Sequence, residues 1–145
     1  NLNNVISELI LNQSQLVNYD ISTDQSLPKF YSANLFMRMF NILDKPKKDL
    51  IIKSLIEDLN KTQNNDIKRC VINLLSTIKD NKIYDALIKM IHDDDWLIKL
   101  YVIKSLYKFD DDEIKNNFTE PLKKLLRDKD SDVREAASSL LSKIS

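Results

Sequence analysis

Apolar residues recur three or four positions apart along most of the chain, which is the spacing of one face of an α-helix. Polar turns rich in Asn, Asp and Lys separate these stretches, and the longest polar interruption covers residues 18–26. The pattern predicts eight helices, at residues 2–17, 27–43, 46–61, 65–79, 82–92, 95–109, 113–127 and 131–144.

The use of glycine and proline supports an all-α fold. The chain has no glycine, whereas hairpin turns and phosphate-binding loops depend on it because only glycine adopts a positive φ cheaply. A β-sandwich, a dinucleotide-binding fold and a P-loop are therefore disfavoured. Pro28, Pro46 and Pro121 each precede an apolar stretch, where the missing N–H costs a helix nothing. We expect no proline inside a helix.

The helices pair into four hairpins whose second helices share one apolar series. With Val133 as position zero, apolar residues follow at offsets +4, +8 and +11. The series also begins at Tyr31, Ile67 and Ile98. In the first hairpin the series places Leu35, Met39 and Ile42 in the core. In the other three hairpins the residue at offset +1 is basic: Lys68, Lys99 and Arg134.

The segment Asp128–Ala137, which reads Asp-x-Asp-Ser-Asp-Val-Arg-x-x-Ala after Leu-x-x-Leu-Leu, resembles a HEAT repeat. The resemblance implies a short right-handed α-solenoid of about four HEAT-like helical hairpins, with the second helices on its concave face. Armadillo repeats are the alternative, but they add a third helix and usually a glycine. We expect one HEAT-like domain over residues 1–145, with approximate repeats 2–43, 46–79, 82–109 and 113–144.

Charge and composition narrow the functional classes. The chain has 22 Lys and Arg against 22 Asp and Glu, so its formal net charge is +0 and it is not steered toward nucleic acid or anionic lipid. No apolar run approaches the roughly 18 residues of a membrane span. One cysteine excludes an internal disulfide framework and favours a reducing, cytoplasmic location. The chain begins with Asn1, which allows it to be a fragment of a longer protein.

Residues suited to catalysis or metal binding are scarce. His92 is the only histidine and precedes three aspartates, but no second His or Cys stands at ligand spacing, so a position at a helix C-terminus is the favoured interpretation. Cys70 falls on the packed side of its helix, where a free thiol acts as a small hydrophobic group. We therefore expect no enzyme, no cofactor and no metal.

The basic row at offset +1 has two interpretations. By resemblance to the family, Lys68, Lys99 and Arg134 pair with aspartates of the intra-repeat turns and order the stack. Those aspartates are Asp66, Asp95 and Asp132. Alternatively, the row contacts acidic groups of a ligand. We favour the structural role and leave a mixed role open.

A second apolar stripe lies off the core register, at offsets +5 and +9 of the second helices. Neighbouring repeats would cover part of it, and a partner protein is the alternative. Trp96 lies in a turn, either over the hairpin end or exposed as an anchor. The predicted partner-binding residues are Phe36, Met37, Phe40, Lys68, Ile72, Trp96, Lys99, Ile103, Tyr107 and Arg134.

The sequence thus predicts a non-catalytic protein–protein interaction scaffold that holds a partner helix or peptide on its second-helix face. Nucleic-acid binding is the alternative, suggested by the fold of DNA-alkylation-repair HEAT-like proteins, although the balanced charge argues against it. A HEAT-like bilin lyase is a third hypothesis, which no residue specifically supports.

Overall fold

The computed structural model describes residues 36–145, and all regular structure in this part of the chain is helical. Residues 36–41 are helical, and the following elements are α1 (Lys45–Lys61), α2 (Asn65–Leu75), α3 (Asn81–Ile91), α4 (Trp96–Ser105) with a 3₁₀ turn (Leu106–Lys108), α5 (Asp111–Leu125) and α6 (Ser131–Ile144). The six predicted helices from residue 46 onward are confirmed. The predicted helix 2–17 and most of 27–43 lie outside the described residues.

The chain divides into two compact units between Leu75 and Ser76. In the first unit, α1 and α2 pack on each other as a hairpin. Pro46 lies in the first turn of α1, and Asp44 Oδ1 accepts a hydrogen bond from the Lys47 N–H (3.1 Å), so this start is as predicted. The expectation of a single domain over the whole chain stays a prediction.

The second unit consists of two helical hairpins side by side. Helix α3 packs on α4 and α5 packs on α6, while α3 also contacts α5 and α4 contacts α6. This arrangement buries one apolar face of every helix. Its fully buried side chains include Ile83, Leu87, Ile98, Val102, Leu106, Ile114, Phe118, Leu122, Val133, Ala137 and Leu140.

The second helix of each described hairpin begins at the same kind of turn. Before α6, Asp130 Oδ1 accepts hydrogen bonds from the N–H groups of Asp132 (2.9 Å) and Val133 (3.1 Å). Asp128 Oδ1 accepts one from the Asp130 N–H (2.9 Å). Such a cap stabilises a helix by about 1 kcal/mol. The corresponding turn residues are Asp93 and Asp95 before α4, and Thr62 and Asn64 before α2.

The prediction that no proline lies inside a helix is wrong for Pro121, which is inside α5. The acidic side chains of the first turn favour an early start of α5, because they interact well with the positive end of the helix dipole. Four apolar residues of one face are buried. We attribute the retention of the helix to this burial, which outweighs the loss of one backbone hydrogen bond at the proline. The four residues are Ile114, Phe118, Leu122 and Leu125.

The apolar register expected for the first hairpin is also wrong within the described residues. Met39 is exposed and Ile42 is 84% exposed, whereas Phe36 and Phe40 are buried. The two phenyl rings stack with centroids 5.9 Å apart, and Lys48 Nζ lies 5.5 Å from the centroid of the Phe40 ring. The core face is therefore rotated by one residue, toward the larger aromatic side chains.

An aromatic cluster joins the two hairpins of the second unit. The Phe118 ring lies 5.7 Å from that of Tyr84 and 6.0 Å from that of Phe109, measured between centroids. The Tyr84 hydroxyl donates a hydrogen bond to Glu113 Oε2 (2.7 Å). This hydrogen bond, together with partial burial, raises the pKa of Tyr84 to about 12. The cluster thus links α3 to α5 through both apolar and polar contacts.

Candidate protein-binding surface

Four of the predicted partner-binding residues lie in the core. The structure buries Phe36, Phe40, Ile72 and Ile103, so their side chains are not available to a partner. The off-register stripe is thus largely a packing feature, as expected where a helix contacts several neighbours. These four residues are removed from the proposed surface. Met37 and Lys68 are half-buried.

Lys99 forms a buried ion pair with an aspartate outside the predicted set. Its ammonium lies 2.7 Å from Asp128 Oδ2, and the two side chains are 12% and 7% exposed. The aspartates implied for the basic row were Asp66, Asp95 and Asp132, and Asp128 is not one of them. Asp95 Oδ1 accepts a hydrogen bond from the Leu97 N–H (2.8 Å). Because Asp128 precedes α6, the ion pair connects one hairpin to the next.

The electrostatic surroundings of Asp128 favour its charged form. Burial acts to raise its pKa, but the hydrogen bonds from Lys99 and from the Asp130 N–H outweigh burial, and the pKa of Asp128 lies below its usual value. The carboxylate is therefore a fixed negative charge between the two hairpins. Because Lys99 is ion-paired with this carboxylate, it is removed from the predicted partner-binding residues.

Arg134 of the basic row is also engaged within the chain. Arg134 Nη1 donates hydrogen bonds to the carbonyl oxygens of Asp128 (2.7 Å) and Lys129 (3.1 Å), rather than to Asp132. Asp66 forms an ion pair with Arg69. The structural interpretation of the row therefore holds for Lys99 and Arg134, although with partners other than those expected.

Two predicted residues, Trp96 and Tyr107, are exposed. They are 40% and 47% exposed and lie at the two ends of the stretch formed by α4 and its 3₁₀ turn. Eleven residues make about three helical turns, so both side chains point to the same side. Leu97, which is 51% exposed, half-buried Leu100 and exposed Lys104 lie on the same arc. We call these five residues the α4 outer surface.

The apolar character of the α4 outer surface is not shared by the other second helices. The corresponding positions in α6 are all exposed and polar: Ser131, Asp132, Glu135, Ser139 and Ser142. The corresponding positions in and just after α2 are polar as well: Asn65, Asp66, Arg69, Asn73 and Ser76. The repeat architecture therefore does not require apolar residues here, and α4 carries them in addition to its core face.

The predictions missed three members of this surface, Leu97, Leu100 and Lys104. At offset −1, Leu97 stands where α2 and α6 both have an aspartate, Asp66 and Asp132. A comparison of the repeats position by position contains this signal. The off-register apolar pattern, in contrast, does not separate exposed Tyr107 from buried Ile103.

The two residues considered for catalysis have structural positions. His92 follows α3, and its N–H donates to the Lys89 carbonyl oxygen (3.2 Å), while Cys70 is buried. Across residues 36–145, no three His, Cys, Asp or Glu side chains are grouped as a metal site. None of the helices described is both long and apolar enough to cross a membrane.

Paired helices that stack side by side and start at repeated Asp- or Asn-capped turns define an all-α repeat protein. A family model described as HEAT repeats matches residues 52–142. The chain therefore belongs to the HEAT-repeat family, and the predicted all-α, HEAT-type solenoid fold class is confirmed. No curated protein matches the chain.

Proposed function

We propose that this chain is a non-catalytic, cytoplasmic protein-interaction scaffold that holds a segment of a partner protein on the α4 outer surface. HEAT repeats commonly serve as scaffolds for protein interaction. The observation that carries the proposal is that α4 exposes Trp96, Leu97 and Tyr107 where α2 and α6 have polar residues.

The energetics of interfaces support the same surface. Trp and Tyr dominate binding hot spots because each buries a large rigid area and loses little conformational entropy. Leu97 lies next to Trp96 and extends this apolar area. A single exposed apolar side chain is ordinary in a folded protein, but three on one face of one helix are typical of an interaction site.

The basic row gives little support to nucleic-acid binding. Lys99 is paired with Asp128, and Arg134 donates to backbone carbonyl oxygens. These two side chains are therefore committed within the chain rather than to phosphate groups. No observation favours bilin chemistry, and neither alternative is proposed.

The surface can be tested by giving α4 the residues that α6 carries. In the triple variant Trp96→Ser, Leu97→Asp and Tyr107→Ser, recovery of the natural partner by affinity purification is expected to fall at least tenfold. Loss of one hot-spot residue alone costs about 2 kcal/mol of binding. Quantitative mass spectrometry of the recovered proteins is the measurement, and circular dichroism checks that the helices are retained.

The matched control changes the corresponding positions of α6, in the triple variant Ser131→Ala, Asp132→Ala and Ser142→Ala. This control is expected to recover the partner as the unchanged chain does. Equal recovery by the α4 variant and the unchanged chain would remove the α4 outer surface as the docking site.

A further inference from the structure

We infer that the turn between the helical residues 36–41 and α1 docks on an anionic lipid surface, with Ile42 inserted among the lipids and the neighbouring basic side chains against the headgroups. This docking site lies in the first unit and is separate from the α4 outer surface. It goes beyond the proposed function, because it gives the scaffold a surface on which to assemble.

An apolar tip stands at this turn. Ile42 is the most exposed large apolar side chain of the described residues, at 84%. The Leu43 N–H donates to the Phe40 carbonyl oxygen (3.1 Å), so the chain turns directly after residues 36–41. Met39 is also exposed, and it lies three positions before Ile42, which makes the two side chains neighbours on the surface.

Basic residues around this tip outnumber acidic ones. Residues 36–53 contain five Lys and Arg and two Asp, which gives a net charge of +3, although the whole chain has a formal net charge of +0. The balanced charge of the chain therefore does not describe this segment. Its charged residues are Arg38, Lys45, Lys47, Lys48 and Lys53, with Asp44 and Asp49.

The two aspartates are paired with two of the lysines, so three positive charges are left over. Lys45 Nζ lies 3.1 Å from Asp49 Oδ2, and Lys47 Nζ lies 3.8 Å from Asp44 Oδ2. Both lysines are exposed, and exposed ion pairs are weak. The three positive charges in excess are those of Arg38, Lys48 and Lys53.

The other charges of the described first unit lie away from this end of α1. Because only residues 62–64 separate α1 from α2, the hairpin is antiparallel, and residues 70–75 at the end of α2 contain no charged side chain. Glu57 and Asp58 stand about 18 Å or more from Lys45 along the axis of α1. The charged residues of α2 are in its first turns: Asp66, Lys68 and Arg69.

Folding of α1 does not account for the lysines at its start. The positive end of a helix dipole favours acidic side chains, as in the first turn of α5, but the first turn of α1 contains none. Positive charge at this position costs the helix some stability. A surface that supplies negative charge from outside the chain offsets this cost.

The side chains of the tip favour a lipid surface over a protein partner. Hot spots of protein interfaces are enriched in aromatic anchors, but the aromatic rings near this turn, Phe36 and Phe40, are buried. An exposed aliphatic group beside cations suits a bilayer, because the apolar group enters the boundary between headgroups and acyl chains while the cations meet anionic lipids. The cytoplasmic leaflet carries such lipids.

Co-sedimentation of the whole chain with lipid vesicles tests this docking site. One vesicle contains equal parts of phosphatidylserine and phosphatidylcholine, and the other contains phosphatidylcholine alone. At low ionic strength, partitioning onto the anionic vesicle is expected to be at least tenfold stronger, and high salt is expected to reduce the difference. No binding to the anionic vesicle, or equal binding to both, would overturn the inference and leave the basic residues to an acidic protein.

A charge-reversal variant locates the basic part of the site. Arg38→Glu with Lys53→Glu is expected to reduce the preference for the anionic vesicle to threefold or less. The matched control, Lys115→Glu with Lys124→Glu, makes the same change of net charge at exposed positions of α5 and is expected to keep the preference. Equal losses in the two double variants would contradict the assigned site, and circular dichroism checks that both are folded.

A substitution of Ile42 tests its insertion. Ile42→Ser is expected to weaken binding to the anionic vesicle about fivefold, because the apolar side chain no longer leaves water. Leu126→Ser, at another exposed apolar position, is expected to change it less than twofold. The α4 triple variant is expected to bind the vesicle as the unchanged chain does. Equal effects at Ile42 and Leu126, or loss of vesicle binding in the α4 variant, would overturn the inference, whereas the proposed function is decided by recovery of the natural partner.

Discussion

Replacing Phe118 with Ala is expected to lower the free energy of unfolding by about 3–5 kcal/mol, as for other fully buried aromatic side chains. The Phe118 ring is fully buried in α5 and packs against Tyr84 of α3 and Phe109. Its removal leaves a cavity between the two hairpins of the second unit. Urea denaturation followed by circular dichroism measures the change.

Two further variants keep this prediction testable if the alanine variant does not fold. Phe118→Leu is expected to lose about 1–2 kcal/mol, because it removes less volume. Leu126→Ala, at an exposed position after α5, is expected to lose less than about 1 kcal/mol. A Phe118 variant that is as stable as the Leu126 variant would contradict the packing described here.

Replacing Lys99 with Met is expected to lower the free energy of unfolding by about 3 kcal/mol, because it leaves the Asp128 carboxylate buried without its counter-ion. The two side chains lie 2.7 Å apart and are 12% and 7% exposed. The matched control is Lys123→Met, which breaks an exposed ion pair with Glu120 and is expected to cost less than about 1 kcal/mol. Chemical denaturation of both variants is the measurement.

A double-mutant cycle isolates the interaction between Lys99 and Asp128. Asp128→Asn alone is expected to be destabilising, and the double variant is expected to lose less than the sum of the two single losses. Additive losses would mean that the two side chains do not interact, and that the link between the hairpins lies elsewhere.

The stabilisation by Asp128 has a defined dependence on pH. Because its pKa is lower in the folded protein than in the unfolded chain, the unfolded chain binds more protons in the interval between the two values. The stabilisation of the folded protein by Asp128 is thus complete above the pKa of Asp128 in the unfolded chain, which is about 3.9. It is lost as the pH falls through the pKa of Asp128 in the folded protein. The stability difference between the unchanged chain and Asp128→Asn should accordingly shrink below about pH 4.

The helices of residues 45–144 could be predicted because several local signals agree. Apolar spacing, capping side chains such as Asp44, Asp95 and Asp130, and the absence of glycine all indicate helices separated by short turns. The repeat of the apolar series then indicates which helices form equivalent pairs. Local and repeated patterns are therefore sufficient for the fold class.

Two predictions, the core face near residue 40 and the position of Pro121, were wrong because they depended on tertiary packing. Near residue 40, the series with Met39 and the series with Phe40 both follow a helical period, and they differ by a rotation of one residue. The burial of Phe36 and Phe40 decides between them, and it depends on tertiary packing. Similarly, Pro121 is tolerated inside α5 because the apolar face of that helix is buried.

The partner of Lys99 could not be read from the sequence for a geometric reason. Asp95 and Asp128 occupy comparable turns, and only the packing of α4 against α6 brings the second of them to the Lys99 ammonium. The resemblance to the family implied Asp66, Asp95 and Asp132 as partners of the basic row, and Asp128 was not among them. Trp96 and Tyr107 are exposed members of the predicted set, whereas exposed Leu97 is distinguished from its counterparts in the repeats only by a comparison with Asp66 and Asp132.

If a partner protein covers the α4 outer surface, the emission of Trp96 changes when the natural complex forms. The fluorescence of the purified complex, made with a partner in which tryptophan has been replaced, is compared with that of the free chain. We expect a blue shift and protection from an aqueous quencher, because the exposed indole leaves water. A stable complex in which the emission and the quenching of Trp96 equal those of the free chain would show that the partner does not cover the α4 outer surface.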